Sequence, residues 1–278
     1  MKKILVPTDF STTAQCALAY ARTFAARLEG AQIDVVHLYL PATAAEYPNI
    51  VPPIPEFLEA REKMLAEYLE KSNEECQSSP AGSVPVKAQL AIGFPADEIV
   101  HLSAEYDLIV MGTTGESDVL DEVFGSVSSH VARNAKCPVL LIPKGMEFKE
   151  VRHIMYASNY ESADKQMIDS LTSFNSLFQA TLHFVHVRDE EDKNHPKTKE
   201  EIIGDLFADG SPDFGFEFED IEGADVSEAL GTYAQQHAID LVVMVARKRS
   251  FWESFFHRSK TKHMTLHAKL PLMVFHTK

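Results

Sequence analysis

The sequence has few cysteines and no long apolar run. Cys16, Cys76 and Cys137 are odd in number and lack metal-type spacing, which favours reduced, packed thiols in a cytoplasmic protein. No stretch approaches the ~20 apolar residues that a membrane span needs. The start, MKKILVPTDF, has a basic pair like that of a signal peptide, but Asp9 interrupts its apolar stretch too early. We therefore expect a soluble, cytoplasmic protein that begins with a buried strand.

Basic residues are also scarce. The chain has 26 Lys and Arg against 41 Asp and Glu, a net charge of -15, and both halves are acidic. Binding to nucleic acid depends on a clustered basic face that releases counterions. The sequence offers only the short stretch Arg247, Lys248 and Arg249. We expect neither DNA nor RNA as a partner.

Common phosphate-binding and catalytic motifs are missing. No Walker loop is present, because no Lys-Ser/Thr pair follows the glycines, and no GxGxxG follows the first predicted strand. No serine triad, thiol with a base or pair of carboxylates can be placed together. Asp9 orienting a water molecule would give slow hydrolysis at most, since no arginine finger or loop lysine is present. We expect little or no turnover.

The sequence does contain an internal duplication. Residues 107–142 align with residues 240–275 without a gap, and KKILVPTDFS from Lys2 parallels RHIMYASNYE from Arg152. The coinciding pairs include Asp107/Asp240, Met111/Met244, Ser117/Ser250, Ser126/Ser259, His130/His263, Lys136/Lys269 and Pro138/Pro271. A chain of 278 residues also suits two domains of ~140 residues each. We predict domains at 1–145 and 150–278.

Each half alternates short apolar strands with helical patterns. In the first half the strands are predicted at ILVPT, 33–40, 86–93, 107–112 and 138–143, and helices after Ser11, at 56–76, from Pro95 and from about Ser126. The second half repeats this order, with a shorter second helix near 197–207. Near-continuous apolar strands separated by helices indicate a doubly wound α/β fold, with helices on both faces of a mostly parallel sheet.

A candidate phosphate site follows the fourth strand. Gly112-Thr-Thr-Gly115 is separated by nine residues from Gly125-Ser126, which leads into a helix. Glycines let backbone N–H groups approach an oxygen-rich ligand, and a helix N-terminus favours phosphate. Asp9, after strand one, would face the same crevice if strands one and four are neighbours. Each residue alone is typical of a tight turn or a helix cap, and the combination indicates a nucleotide site.

These motifs resemble those of the universal stress protein family. The resemblance rests on PTDFS from Pro7, the GFP turn at Gly93, and Gly112-x2-Gly115-x9-Gly125-Ser126 followed by KCPVLLIP. It implies a tandem member with a Rossmann-like, five-stranded sheet ordered 3-2-1-4-5 and an ATP-binding first half. The implied nucleotide-binding residues are Pro7, Thr8, Asp9, Leu38, Gly112, Thr113, Gly115, Gly125, Ser126 and Ser128, with adenine and ribose near Asp9 and Leu38. A ligand-free interaction scaffold and an ATP-using enzyme stay open as alternatives.

Two features depart from the family pattern. The nine-residue loop carries Glu116, Asp118, Asp121 and Glu122, which oppose a triphosphate. Three roles stay open for these carboxylates: they form a solvated face, they favour ADP or AMP over ATP, or they help to hold Mg²⁺. In the second half, Val245, Lys248 and Arg258 replace the three glycines and Asn159 replaces Asp9. We predict that this second site is degenerate.

Histidines and aromatic residues of the second half admit further readings. His183 and His186 could join a zinc site with His153, His257, His263 and His267, but residues three apart on a strand point to opposite faces. We expect scattered histidines and no metal. Phe251, Trp252, Phe255 and Phe256 indicate packing, with a hydrophobic ligand pocket or a partner surface as alternatives.

The last strands, PVLLIP and PLMVFH, are apolar and would lie at sheet edges, which need to be covered. We predict that they pair with each other within one chain as a pseudo-dimer. A further homodimer and an unidentified protein partner stay open. The pairing of the two halves stays a prediction.

Overall fold

A computed structural model of the chain divides into two compact units between Phe148 and Lys149. The structure describes residues 1–40, 54–114, 125–157, 165–188, 203–204, 212–223, 225–246 and 270–276. Within each unit the strands form a parallel five-stranded sheet, which confirms the predicted α/β fold class. No helix in the described ranges has the length and apolar character that crossing a membrane requires.

The first unit alternates strands and helices. Its strands are β1 (Lys3–Thr8), β2 (Gln32–Tyr39), β3 (Val86–Ile92), β4 (Leu108–Gly112) and β5 (Val139–Ile142). Its described α-helices are α1 (Thr12–Ala25), α2 (Ile54–Cys76), α3 (Pro95–Leu102) and α4 (Ser126–Asn134). Short 3-10 turns at Pro80–Ser83 and Ser103–Glu105 lead into β3 and β4.

The sheet of the first unit has the order β3-β2-β1-β4-β5, which is the predicted 3-2-1-4-5. The winding therefore reverses between β1 and β4, the point where ligands bind in open α/β sheets. β1 pairs with β2 along its whole length, from Lys3 to Thr8. Its described pairing with β4 comprises only Ile4 and Leu5. The described pairing thus stops before the carboxyl ends of the two strands, where an open α/β sheet with this order leaves a crevice.

The second unit repeats this arrangement. Its strands are β6 (His153–Ala157), β7 (Thr181–Arg188), β8 (Phe216–Glu222), β9 (Leu241–Val245) and β10 (Leu272–Phe275). Its helices with described bounds at both ends are α5 (Lys165–Asn175) and α6 (Val226–Gln236). The strand order within this unit is β8-β7-β6-β9-β10, again 3-2-1-4-5. The predicted helix near 197–207 lies outside the described residues except for 203–204.

One aspartate holds the start of the first strand in the same way in both units. Asp107 Oδ2 accepts hydrogen bonds from the backbone N–H groups of Lys2 and Lys3, at 2.6 and 3.0 Å. Asp240 Oδ2 accepts from Arg152 and His153 N–H, at 2.8 and 3.0 Å. These backbone hydrogen bonds lower the pKa of Asp107. The shared contact gives a structural reason for the Asp107/Asp240 match in the duplicated sequence.

Helix α1 begins directly after the end of β1 and brings the chain back over the sheet. The Ser11 side chain caps it by accepting a hydrogen bond from Ala14 N–H at 3.1 Å, a type of contact worth about 1 kcal/mol. Its apolar residues recur at helical spacing, and Leu18, Ala21 and Phe24 are buried. The helix packs against β1, β4 and β5. Its first turn is thereby fixed beside the crevice.

Candidate functional site

The candidate site lies at the carboxyl ends of β1 and β4. β1 ends at Thr8 and β4 at Gly112, so the predicted residues of both strands lie on the same side of the sheet. Thr8 and Thr113 are buried, and Asp9 is partly exposed. The structure thus brings the PTDFS segment and the start of the glycine loop together. Gly115 and the acidic residues from Glu116 to Glu122 lie outside the described residues.

The turn after β1 is shaped by its own side chains. Asp9 Oδ1 accepts a hydrogen bond from Ser11 N–H at 3.1 Å, and Thr8 Oγ1 accepts from Phe10 N–H at 3.0 Å. Phe10 has a φ of +67°, a left-handed conformation that non-glycine residues adopt rarely. The two side-chain contacts support this conformation. They also fix the backbone of Asp9 at the mouth of the crevice.

Packing alone requires a glycine at position 112, whether or not a ligand binds nearby. A Cβ atom at Gly112 would lie 2.7 Å from Thr13 Cγ2 and 3.2 Å from the Thr13 backbone carbon. Thr13 is the second residue of α1 and is buried. The glycine therefore allows the first turn of α1 to approach the end of β4. Close helix–strand packing explains this residue without phosphate contact.

Helix α4 is fastened to the end of β4 by the Thr113 carbonyl. That carbonyl accepts hydrogen bonds from Gly125 N–H at 2.7 Å and from Ser128 Oγ at 2.6 Å. Ser128 is buried, so its hydroxyl holds the helix in place and does not face solvent. Gly125 is the N-cap, with no side-chain cap, and Ser126 is exposed. The N-terminus of α4 is thereby held beside the crevice.

Apolar side chains lie on the other side of the crevice, at the ends of β2 and β3. Leu38, at the strand-two end, is buried. Leu40 is 50% exposed, Ile92 56% and Phe94 64%. Tyr39 and Ile92 are paired in register, which places Leu40 and Phe94 at the same edge of the sheet. This edge offers an apolar surface, in contrast to the polar backbone at α4.

A model of the universal stress protein family matches residues 1–143. The chain belongs to this family. A universal stress protein of Synechocystis is 24% identical over 298 residues, covering 99% of this chain and all of its own length. One from Thermus aquaticus is 37% identical over 147 residues, covering 51% of this chain and 98% of its own. The predicted resemblance is confirmed.

A solved universal stress protein from Archaeoglobus fulgidus is similar along almost the whole chain. Its TM-score is 0.68 at 17% identity, and the alignment covers 99% of this chain and 96% of that structure. At this identity the similarity shows the fold alone. It fits a tandem, two-unit universal stress protein.

Sequence reasoning missed His37 as a part of this universal stress protein's first site. His37 is buried, and its Nδ1 lies 2.8 Å from the Thr8 carbonyl oxygen. Burial lowers the pKa of His37, and the nearby Arg61 guanidinium lowers it further, against the opposing effects of the Thr8 carbonyl and Asp9. The neutral ring therefore donates from Nδ1 to Thr8. Its Nε2 faces Arg61 Nη1 at 3.4 Å.

His37 also belongs to an aromatic cluster beneath the ends of β1 and β2. The Phe10 ring lies 4.3 Å from the His37 ring and 5.6 Å from the Tyr68 ring, and Tyr39 stacks parallel to His37. Burial raises the pKa of Tyr68 well above its usual range, and the Asp9 carboxylate adds to the effect. The sequence does not show this cluster, because its residues come together only when β2 and α2 are placed beside the β1 turn. The β1 turn therefore rests on neutral, packed rings.

The corresponding edge of the second unit lacks the glycine of the first. Gly112 pairs in register with Ile142, and Val245 pairs with Phe275 in the equivalent strands. Val245 is buried at the position where the first unit has Gly112. Three other predicted differences, at Asn159, Lys248 and Arg258, lie outside the described residues, as does the aromatic segment 251–256.

Proposed function

We propose that the first unit binds one adenine nucleotide, with its phosphates at the N-terminus of α4 and its base toward the ends of β2 and β3. The nucleotide is ATP, ADP or AMP, with Mg²⁺ as a companion of the phosphates. The protein acts as a nucleotide-responsive stress or signalling protein with little or no turnover. The family supports this role, and the geometry of the first unit supports the ligand.

One observation carries the proposal: α4 starts at the edge of the crevice where the sheet reverses its winding. Gly125 N–H and Ser128 Oγ both bind the Thr113 carbonyl, so the first turn of α4 is fixed relative to β4. The first N–H groups of a helix have no partner within the helix and favour phosphate oxygens. Gly125 adds no side chain at this approach. A phosphate group placed there would lie between α4 and the turn at Asp9.

The apolar edge supplies a matching surface for the base. Leu40, Ile92 and Phe94 expose large apolar areas at the carboxyl ends of β2 and β3. Ligand sites typically combine such surfaces with a small number of oriented polar groups. The His37 ring behind Thr8 is buried, and its lowered pKa favours the neutral form. A flat adenine ring suits the exposed apolar surface.

Catalysis is not part of the proposed role. Asp9, the one carboxylate placed at the crevice by the β1 turn, holds Ser11 N–H through Oδ1. Fast phosphoryl transfer also needs cationic groups that stabilise the transition-state charge, and the sequence motif supplies no arginine finger or loop lysine. We therefore assign Asp9 to shaping the turn and positioning the nucleotide. Slow hydrolysis would be a side property.

We also propose a cytoplasmic location. Cys16, Cys76 and Cys137 are free thiols. Burial raises the pKa of the Cys137 thiol to about 12, so this cysteine is an unreactive packing residue. Reduced cysteines of this kind are typical of the cytoplasm.

Release of bound ligand from the purified protein tests the proposal. We expect acid treatment of the full chain to release adenine nucleotide, identified by mass spectrometry, or the emptied protein to bind added ADP or ATP in calorimetry. A protein that carries no nucleotide and binds neither added compound would favour the alternative, a ligand-free interaction scaffold.

A further inference from the structure

Three histidines and a glutamate meet at the amino ends of the strands in the second unit. His153 is the first residue of β6, His183 the third of β7 and Glu217 the second of β8. His237 follows the last residue of α6. The proposed nucleotide site lies at the carboxyl ends of strands in the first unit. This cluster is therefore separate from it, because it lies at the amino ends of strands in the second unit.

His183 is the centre of the cluster. Its ring is buried, with Nδ1 3.3 Å from Glu217 Oε2 and 3.0 Å from the Tyr233 hydroxyl. Its Nε2 lies 3.0 Å from His153 Nδ1. One ligand atom each from His183, Glu217 and His237 lie within 4.8 Å of one another. Each ring nitrogen of His183 therefore has a different set of neighbours.

We propose that His183, Glu217 and His237 bind a divalent transition-metal ion, with zinc as the best match, and that His153 positions His183. Two imidazoles and one carboxylate are a ligand set that zinc accepts, with water in the fourth position. No metal was expected from the sequence, because His183 and His186 are three apart on a strand and point to opposite faces. The fold brings three histidines together.

The distances fit such an ion. Zinc–nitrogen and zinc–oxygen bonds of about 2.0–2.1 Å in a tetrahedron place neighbouring ligand atoms roughly 3.3 Å apart. His183 Nδ1 and Glu217 Oε2 have this separation. Glu217 is exposed, so its side chain can adjust and the ion can enter from solvent. His237 is half-buried.

His153 completes the arrangement from behind. A metal-bound histidine usually donates its second ring N–H to an acceptor that fixes its orientation. With the ion on Nδ1, His183 Nε2–H donates to His153 Nδ1 across the observed 3.0 Å. The neutral imidazole is the form of histidine that binds metal.

Tyr233 leaves the fourth position to water. Tyrosine is not among the side chains that usually bind zinc, which are cysteine, histidine and the carboxylates. An ion at His183 Nδ1 replaces the hydrogen bond between that nitrogen and Tyr233.

The first unit lacks this ligand set at the equivalent positions. Asp34 pairs in register with Lys87 where His183 pairs with Glu217, and Lys3 begins β1 where His153 begins β6. Asp34 accepts a hydrogen bond from the Tyr106 hydroxyl at 2.9 Å. Two lysines and an aspartate do not form a zinc site. The two units have thus diverged at this edge as well.

Calorimetry of the untagged, metal-free full chain with zinc chloride tests the proposal. We expect one tight site, and with cobalt chloride the visible absorption of a tetrahedral ion. Glu217→Gln and His237→Ala should weaken zinc binding by more than 10-fold, since each removes one of three ligands. Glu219→Gln is the matched control, because Glu219 is on the same strand and face and loses the same charge. It should bind zinc as the unchanged chain does.

The His153 variants test the positioning role separately. His153→Ala should weaken zinc binding by about 10- to 100-fold, the usual range for a lost second-layer partner. His153→Asn keeps an acceptor and should recover most of the affinity. Circular dichroism and thermal unfolding of the metal-free variants check that the fold is retained. The proposal would be overturned if the unchanged chain had no tight zinc site. It would also be overturned if folded Glu217→Gln and His237→Ala bound zinc with the same affinity as the unchanged chain.

Discussion

Replacing Gly125 with valine is expected to weaken adenine-nucleotide binding by about 100-fold, which corresponds to losing one or two hydrogen bonds to a charged phosphate. The branched side chain would stand at the N-terminus of α4, where the phosphate approaches. Gly125 has φ -68° and ψ 162°, a conformation that valine adopts without strain. The fold should therefore be retained. Calorimetry with ADP and ATP measures the effect.

A control is needed because valine is a poor N-cap residue and destabilises a helix by about 1 kcal/mol. Asp225→Val provides it, since the Asp225 side chain caps α6 in the second unit by accepting from Glu228 N–H at 3.0 Å. This variant should lose comparable stability and keep its nucleotide affinity. A folded Gly125→Val chain with unchanged affinity would remove Gly125 from the proposed site.

Gly112→Ala is expected to destabilise the first unit by about 1–3 kcal/mol, the usual cost of overpacking. The added Cβ would lie 2.7 Å from Thr13 Cγ2, so β4 and α1 must move apart. Thr13→Ser deletes Cγ2 and keeps the hydroxyl, and should relieve part of this cost. Denaturant unfolding of the full chain followed by circular dichroism measures both variants and their combination.

The double variant makes the test specific. If the contact with Thr13 is the reason for the glycine, Gly112→Ala should cost less in the Thr13→Ser background, with a coupling energy of about 0.5–3 kcal/mol. Strictly additive effects would show that Thr13 Cγ2 is not the obstacle. In that case the glycine at position 112 would be explained by the close approach of the ligand and not by packing.

The fold could be predicted from the sequence because its signals are local and occur twice. Apolar strands alternating with helical patterns indicated the parallel sheet. The gap-free duplication aligned Val245 with Gly112. The strand register shows the same correspondence, since Gly112 pairs with Ile142 and Val245 with Phe275. Ser11 marked the beginning of α1 because helix caps have a local signature. Helix α4 begins at Ser126 as predicted, with Gly125 as its N-cap.

The site was less predictable, because its details depend on residues that are distant in sequence. His37 contacts Thr8 through the pairing of β1 with β2, and no motif marks it. His183 meets His153 and Glu217 only because their strands are neighbours in the sheet. Ser128 was predicted near phosphate, but its hydroxyl binds the Thr113 carbonyl. Spacing along one chain segment could not reveal these contacts.

The number of nucleotides bound per chain tests the central claim most directly. The measurement is a calorimetric titration of the full, nucleotide-free chain with ATP and with ADP, each with and without Mg²⁺. We predict a stoichiometry of one, lost in Gly125→Val, because Val245, Lys248 and Arg258 replace the three glycines in the second half. The four titrations also show whether the acidic loop discriminates against the triphosphate. A stoichiometry of two would contradict the account, because both halves would then hold a nucleotide.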